Sequence, residues 1–441
     1  MLLAAVGRWY LTSRGITRWA RRRFTTLGFC LLIGLALTLG TANPEQTMGM
    51  GTFFLLFAAL GTALVVAPFF RLRCVAERQA PRLATAGEPF TLRVAVRNRG
   101  QRREIGLDYA EDLREVRLVG QDVANRWRLG LRAGHIPGLS LRAARCPPVA
   151  VPPLAPGATA EVLVTITAWR RGPLTLAGGL FMRTDVLGIF RAFGRTREPQ
   201  TVLILPTRYP LPALDLPGRA REQQAGTALA NGIGESEEFV ALRDYRRGDP
   251  LKRVHWRSAA RTGRLVVKEY QDEHLMRHGL VLDTCCAPGD EARFEEAVAV
   301  AASFACTVPN QESLLDLLLV GTTAVHLTAG RGMGGTQPML EVLATVRPSR
   351  TSRTDELEAL IAQHRAALSS CVLVLLAWDA PRRALVRRLR VLRLPLTVLL
   401  IVPPGAGTPA EAGDPGEQPD RMIVLTSGKI AEGLRALGAG A

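Results

Sequence analysis

Two carboxylates raise the question of chemistry first. Asp283 closes the apolar run at 279–282, and Asp379 follows the apolar run at 372–378. Continuous apolar runs of this length read as buried strands. In a mostly parallel sheet, ligands gather beyond the carboxyl ends of such strands, which would bring the two acids near one another. Two neighbouring carboxylates could hold a divalent cation. The residues after Asp283 work against it. The run is Asp283-Thr284-Cys285-Cys286-Ala287, and Mg²⁺ and Ca²⁺ take hard oxygen donors, not a thiol or a methyl. Asp283 and Asp379 are therefore candidates only, and no metal or cofactor is assigned. The alternative role for Asp283 is to cap the following helix or to bind a basic neighbour.

Other groupings offer less. Cys285 and Cys286 are adjacent thiols, but burial at a strand end is the commoner fate. His274 and His278 are four apart, the spacing of a helical metal pair, yet their surroundings read as strand and turn. Residues 330–335 spell G-x-G-x-x-G, but the preceding strand is short and the loop reads as a simple strand-to-helix connection. His255 has no evident Ser or Cys partner, and no Ser-His-Asp order can be argued. No catalytic residue is assigned, and the chain reads as a non-enzyme.

Charge is the denser signal. Residues 238–273 carry Arg246, Arg247, Lys252, Arg253, Arg257, Arg261, Arg264 and Lys268, with Tyr245 and Trp256 interleaved. A charged disordered tail would lack the apolar marks His255-Trp256 and Leu265-Val266-Val267. Arg243-Asp244 and Lys268-Glu269 suggest internal ion pairs, and 248–250 and 262–263 read as turns. Part of the charge therefore holds a fold, and the rest faces a protein partner or anionic lipid. Nucleic acid is the reading not favoured. The whole chain of 441 residues carries a formal charge of +17, 47% apolar residues and seven scattered cysteines. That length allows two or three domains. The absence of C-x-x-C and the odd cysteine count argue for a reducing compartment.

The elements that would position these residues follow from hydropathy patterning. Residues 24–42 and 47–70 carry no charge, and a helix of about 20 apolar residues can span a bilayer. They predict a hairpin of two transmembrane helices. Arginines in the basic segment 1–23, and Arg71 and Arg73 after the second span, would put both flanks and both termini in the cytoplasm. Residues 75–206 alternate apolar and polar side chains, as at 90–98 and 160–168, and predict a β-rich, sandwich-like module. Gly178-Gly179 reads as a break between two short strands, and weak helical patterning runs near 109–116. Residues 207–235 read as a linker. From 236 to 441 strand and helix patterns alternate, which implies a mostly parallel sheet covered on both faces.

One stretch carries a family resemblance. Leu242, Arg243, Asp244, Tyr245, Gly248, Asp249, Val254, Trp256, Ala260, Arg261, Gly263 and Leu265 stand in one fixed register. That register resembles the hallmark of the bacterial domain-of-unknown-function family 58. Residues 169–190 are similar to a second family signature, with Val186 in place of its usual Pro. The resemblance implies that 236–441 is a von Willebrand factor A-like domain with a Rossmann-type parallel sheet. Such a domain would carry a D-x-S-x-S metal loop, in which Cys285 and Ala287 replace both serines here, with a Thr and an Asp from later loops, for which Thr336 and Asp379 are the candidates. It also implies a MoxR-type AAA+ ATPase as partner, with a transglutaminase-like membrane protein nearby. The residues expected to carry partner binding or the motif fold are Arg243, Tyr245, Gly248, Asp249, Arg253, Trp256, Arg261, Gly263 and Lys268. The expected whole is a membrane α-hairpin, a β-sandwich-like module and an α/β domain, together a membrane-anchored scaffold of the inner membrane for cell-envelope or complex-assembly processes. The alternatives are a metal-dependent hydrolase at the membrane and an anionic-lipid or nucleic-acid binder.

Overall fold

A computed structural model describes residues 23–41, 47–66, 73–113, 144–185, 187–212, 239–247, 249, 251, 254–270, 276–308, 313–321, 323–330, 335–406 and 417–436. The chain divides into two compact units, residues 1–206 and 207–441.

The first unit begins with helices α1 (Thr26–Thr41) and α2 (Thr47–Val66). Among the described residues no helix is long and apolar enough to cross a membrane. The expected pair of spans is corrected accordingly, and with it the two-pass inner-membrane placement. The physical reason is partly length. At 16 residues, α1 reaches about 24 Å at the helical rise, short of the roughly 30 Å hydrocarbon core. The start of α1 is also engaged elsewhere. Thr25 Oγ1 donates to the carbonyls of Gly188 and Ile189 and accepts from Gly28 N, capping the helix. Phe24 meets Phe190 edge to face at 5.2 Å, and Ala63 of α2 is buried with Ile189 and Phe190. The outer faces leave Leu37, Leu39, Leu55 and Phe57 exposed. The basic segment at 1–22 and the turn at 43–46 lie outside the described residues.

The rest of this unit is two packed sheets. Strands β1 (Cys74–Gln79), β2 (Leu83–Thr85), β3 (Pro89–Asn98), β4 (Leu107–Leu113), β5 (Ala144–Arg145), β6 (Val149–Val151), β7 (Thr159–Ala168), β8 (Gly172–Thr184), β9 (Arg191–Arg195) and β10 (Gln200–Leu205) follow in chain order. One sheet runs β1-β3-β7-β5, the other β2-β10-β8-β4-β6 with β9 beside β8. Period-two alternation turns Leu92, Val94, Val96, Val162, Val164 and Ile166 into a shared core with Tyr109 and Phe181. The weak helical pattern near 109 is overruled: Tyr109 sits in strand β4, and its ring meets Phe181 edge to face at 5.0 Å. Nor do Gly178 and Gly179 break a strand; β8 runs through both. A Cβ at Gly178 would stand 1.8 Å from the Thr196 carbonyl oxygen, and one at Gly179 would stand 2.6 Å from the Tyr109 ring. The glycines make room for close neighbours. A buried ion pair links the two sheets: Arg78 Nη1 of β1 donates to Glu111 Oε2 of β4 at 2.9 Å, and the Tyr109 hydroxyl donates to the other Glu111 oxygen.

The second unit opens with a small hairpin, β11 (Phe239–Asp244) and β12 (Val266–Tyr270), with helix α3 (Trp256–Thr262) in the connection. Its main sheet holds β13 (Arg277–Leu282), β14 (Leu314–Val320), β15 (Ala324–Ala329), β16 (Ser370–Leu375), β17 (Leu396–Val402) and β18 (Arg421–Thr426) in the order β15-β14-β13-β16-β17-β18. Counted within the sheet this is 3-2-1-4-5-6, a doubly wound order. All neighbours are parallel except β14 and β15. Those two are joined by residues 321–323, a link too short for a parallel crossover. Helices α4 (Glu291–Thr307), α5 (Gln337–Thr345), α6 (Thr354–His364), α7 (Ala380–Val391) and α8 (Ile430–Ala436) supply the connections and the close of the chain. Strands β13, β14, β16 and β17 are apolar and buried almost throughout, because both faces of a parallel sheet are covered. Asp316 is the exception inside β14. Its fully buried carboxylate is held by a fork from Arg277 at 2.7 and 2.9 Å and by the Thr328 hydroxyl at 2.6 Å.

Candidate functional site

The hairpin gathers the motif residues. β11 and β12 are antiparallel, with Arg243 opposite Val267 and Asp244 opposite Val266. Arg243 donates from both Nη atoms to the two oxygens of Asp249, at 2.7 and 2.8 Å, and Arg246 N donates to the same carboxylate at 2.8 Å. These bonds, the Arg243 fork first, pull the Asp249 carboxyl down to about 2. The ion pair expected between Arg243 and Asp244 is thus replaced by one with Asp249; Arg243 reaches only the Asp244 carbonyl. Val254 bridges to Val267, and both side chains are buried. His255 N donates to Val266 O, and its ring Nδ1 lies 2.7 Å from Ser258 Oγ. Gly263 ends α3 in the left-handed region, φ 68°, with its N–H donating to Ala259 O. That is the conformation a helix C-terminus asks of glycine.

The outward surface differs from this anchored interior. α3 has no buried residue. Trp256 is 61% exposed, and Leu242, Leu251 and Leu265 of the same motif are exposed as well. Arg246, Arg247, Arg257, Arg261 and Arg264 are exposed as well, while Tyr245 and Lys268 are half-buried. Gly248 and Arg253 lie outside the described residues. The sequence identified this motif but did not divide it into an inward set (Arg243, Asp249, Val254, Gly263) and an outward set (Trp256, Arg257, Arg261).

The carboxyl edge of the main sheet holds the other candidates. Asp283 directly follows β13 and Asp379 caps α7, accepting from Arg382 N at 3.3 Å. The structure brings the two acids together, but around a side chain that sequence reasoning passed over. Arg382 Nε donates to Asp283 Oδ2 at 2.6 Å, its Nη1 to Asp379 Oδ2 at 2.6 Å, and its Nη2 to the Cys285 carbonyl at 3.1 Å. Arg382 is 4% exposed. Burial pushes the Asp283 carboxyl above its ordinary range, and Arg382 and the Cys285 amide oppose that push. Burial likewise disfavours charge on Arg382, yet Asp283 and Asp379 hold its pKa above the usual value. Thr336 precedes α5 as its N-cap residue, and no bond joins it to either acid among the described residues. Nor do the described residues hold any cluster of three or more His, Cys, Asp or Glu suited to a metal. His278 is buried in β13 with its ring against Ser370 Oγ, and burial lowers its pKa to about 4. His274 and residues 331–334 of the glycine-rich run lie outside the described residues.

Two further arginines close the same edge. Arg293 of α4 donates to the carbonyls of Leu376 and Ile401, beside β16 and in β17, and pairs with Asp290. Arg350 donates to the Cys286 carbonyl and to Glu291. The one sequence signal for this arrangement is Asp379-x-x-Arg382, a carboxylate and a guanidinium one helical turn apart.

The fold is mixed α/β with several sheets, and its second unit is a doubly wound domain bearing an exposed basic hairpin. Residues 241–401 match the family model described as protein of unknown function DUF58, which supports membership of that family. The match runs from β11 into β17 and so contains both the hairpin and the arginine-closed edge. No curated protein matches the chain. Among solved structures, native α-2-macroglobulin of Escherichia coli is similar at 14% identity and a TM-score of 0.19, over 36% of this chain and 8% of that one. A fragment of the same protein from domain MG7 to the C-terminus gives 14% and 0.18, over 34% of this chain and 20% of that one. A Salmonella α-2-macroglobulin mutant gives 13% and 0.18, over 34% and 8%. The chain thus spans a small part of each.

Proposed function

We propose that the chain is a non-enzymatic adaptor that docks a protein partner on the β11–α3–β12 hairpin. The observation that carries this is Trp256, standing in solvent on a helix with no buried side chain that also carries exposed Arg257 and Arg261. Tryptophan and arginine dominate the energetics of protein interfaces. The Arg243–Asp249 fork holds the turn beneath them before any partner arrives, which lowers the ordering cost of binding. The surface suits an acidic segment that also offers an apolar cover for Trp256 and Leu251.

The finer reading is that the second unit is von Willebrand factor A-like and that its partner is a MoxR-type AAA+ ATPase. It is supported by the motif register of residues 242–265 and by the 3-2-1-4-5-6 sheet with an antiparallel edge. The hydrolase alternative draws no support from Asp283 and Asp379, since both are held by Arg382. The test is capture of such an ATPase by the full chain. Trp256→Ser and Arg261→Glu should abolish capture while Arg183→Glu, on the first unit, should not. Equal capture by all of them would rule the hairpin out as the docking surface.

A further inference from the structure

We infer that the Arg382 guanidinium replaces a divalent cation at the carboxyl edge of the main sheet, bridging Asp283 and Asp379 so that the edge is closed without metal. The family resemblance implies a metal in this place, and the residues present do not fit one. The case rests on what each oxygen already does. Asp283 Oδ1 accepts from Cys285 N at 2.9 Å and Oδ2 accepts from Arg382 Nε. The Thr284 hydroxyl, the one side-chain oxygen between Asp283 and Ala287, donates to Val320 O at 2.6 Å. The carbonyls of Cys285 and Cys286 accept from Arg382 and Arg350. Asp379 accepts from both the backbone and the side chain of Arg382. A hard cation needs six or more oxygens; the carboxylate and carbonyl oxygens named here accept from nitrogen donors, and the Thr284 hydroxyl is turned to Val320 O.

The geometry also explains how a guanidinium can serve there. Its planar fork presents N–H groups in three fixed directions, and the three oxygen partners of Arg382 lie along them. The cation is tethered by its own helix, since Asp379 caps α7 at the turn that carries Arg382. From its other side the 283–287 loop is pinned by Ser349, which exchanges backbone bonds with Thr284 and Cys286. A divalent ion approaching Asp283 would meet a buried positive charge and would have to break its short bond to the carboxylate.

The experiment is calorimetric titration of the full chain with Mg²⁺, Mn²⁺ and Ca²⁺, with thermal melts in chelator and in millimolar cation. The parent protein should give no saturable heat, and its melting midpoint should ignore both additions. Arg382→Ala leaves two carboxylates and a carbonyl facing the vacated space. It should melt lower, show saturable binding of at least one of the cations where the parent shows none, and recover part of the lost midpoint when it binds. Asp283→Asn added to Arg382→Ala should remove that binding. Saturable binding by the parent that Asp283→Asn abolishes would overturn the inference, and so would a folded Arg382→Ala that gains no affinity. Should Arg382→Ala fail to fold, Arg382→Lys keeps the charge and should fold without responding to chelator. A chelator-sensitive Arg382→Lys would count against the assignment.

Discussion

Arg243 and Asp249 face each other across the turn that leaves β11, joined by two parallel N–H···O bonds of 2.7 and 2.8 Å. Six residues apart, they convert a charged loop into a fixed one, and they turn the motif's first arginine into a structural residue.

Asp249 should therefore titrate near pH 2, well below an ordinary aspartate at about 4. Its folded value is depressed, so its contribution to the turn is present above the unfolded value and is lost as pH falls through about 2. Carboxyl NMR titration checks this. In Arg243→Ala the midpoint should return toward about 4; a parent midpoint already near 4 would contradict the fork.

Trp256→Ser should leave thermal stability within about 0.5 kcal/mol of the parent, as for other surface changes without buried partners. The side chain is exposed and α3 buries nothing. A loss of several kcal/mol in denaturant unfolding would mean that Trp256 is a packing residue and not an outward one.

Asp316→Ala should destabilise the second unit by about 3–5 kcal/mol, because it leaves Arg277 without its fork partner in a largely buried position. Burial opposes ionisation of Asp316, but His326, Arg277 and Thr328 together hold its carboxyl below the ordinary range. Acid should therefore weaken this unit only below the usual carboxylate range: the contribution is present above the unfolded pKa and fades as pH falls past the depressed one.

Gly178→Ala should cost the first unit about 3 kcal/mol or more, since its Cβ would fall 1.8 Å from the Thr196 oxygen at φ +149°. Gly188→Ala is the control. It also has a positive φ, +69°, but open space around the missing Cβ, so only backbone strain of about 1 kcal/mol remains. Equal melting midpoints for the two variants would refute the close-approach account of β8.

How much of this the sequence revealed depended on the range of the interaction. The strands at Arg277–Leu282 and Ser370–Leu375 were readable because buried parallel strands show as continuous apolar runs, here at 279–282 and 372–378. Gly263 as a turn was readable because its role is local to α3. The partner of Asp283 was not, since Arg382 lies 99 positions away and looked like one more cation on a basic helix. Gly178 and Gly179 were misread for the same reason: Thr196 and Tyr109, which require them, are remote in the chain. The apolar segments near the start matched membrane spans in composition. Composition could not show that the first turn of α1 is bonded to Gly188 and Ile189.

The most direct measurement is an equilibrium titration of the full chain against a MoxR-type AAA+ ATPase, comparing the parent with the Trp256→Ser/Arg261→Glu double variant under identical salt. The account predicts that the double variant, still folded, binds at least about 100-fold more weakly, as expected when two interface anchors are lost. A dissociation constant unchanged between the two would contradict the assignment of the hairpin as the docking surface.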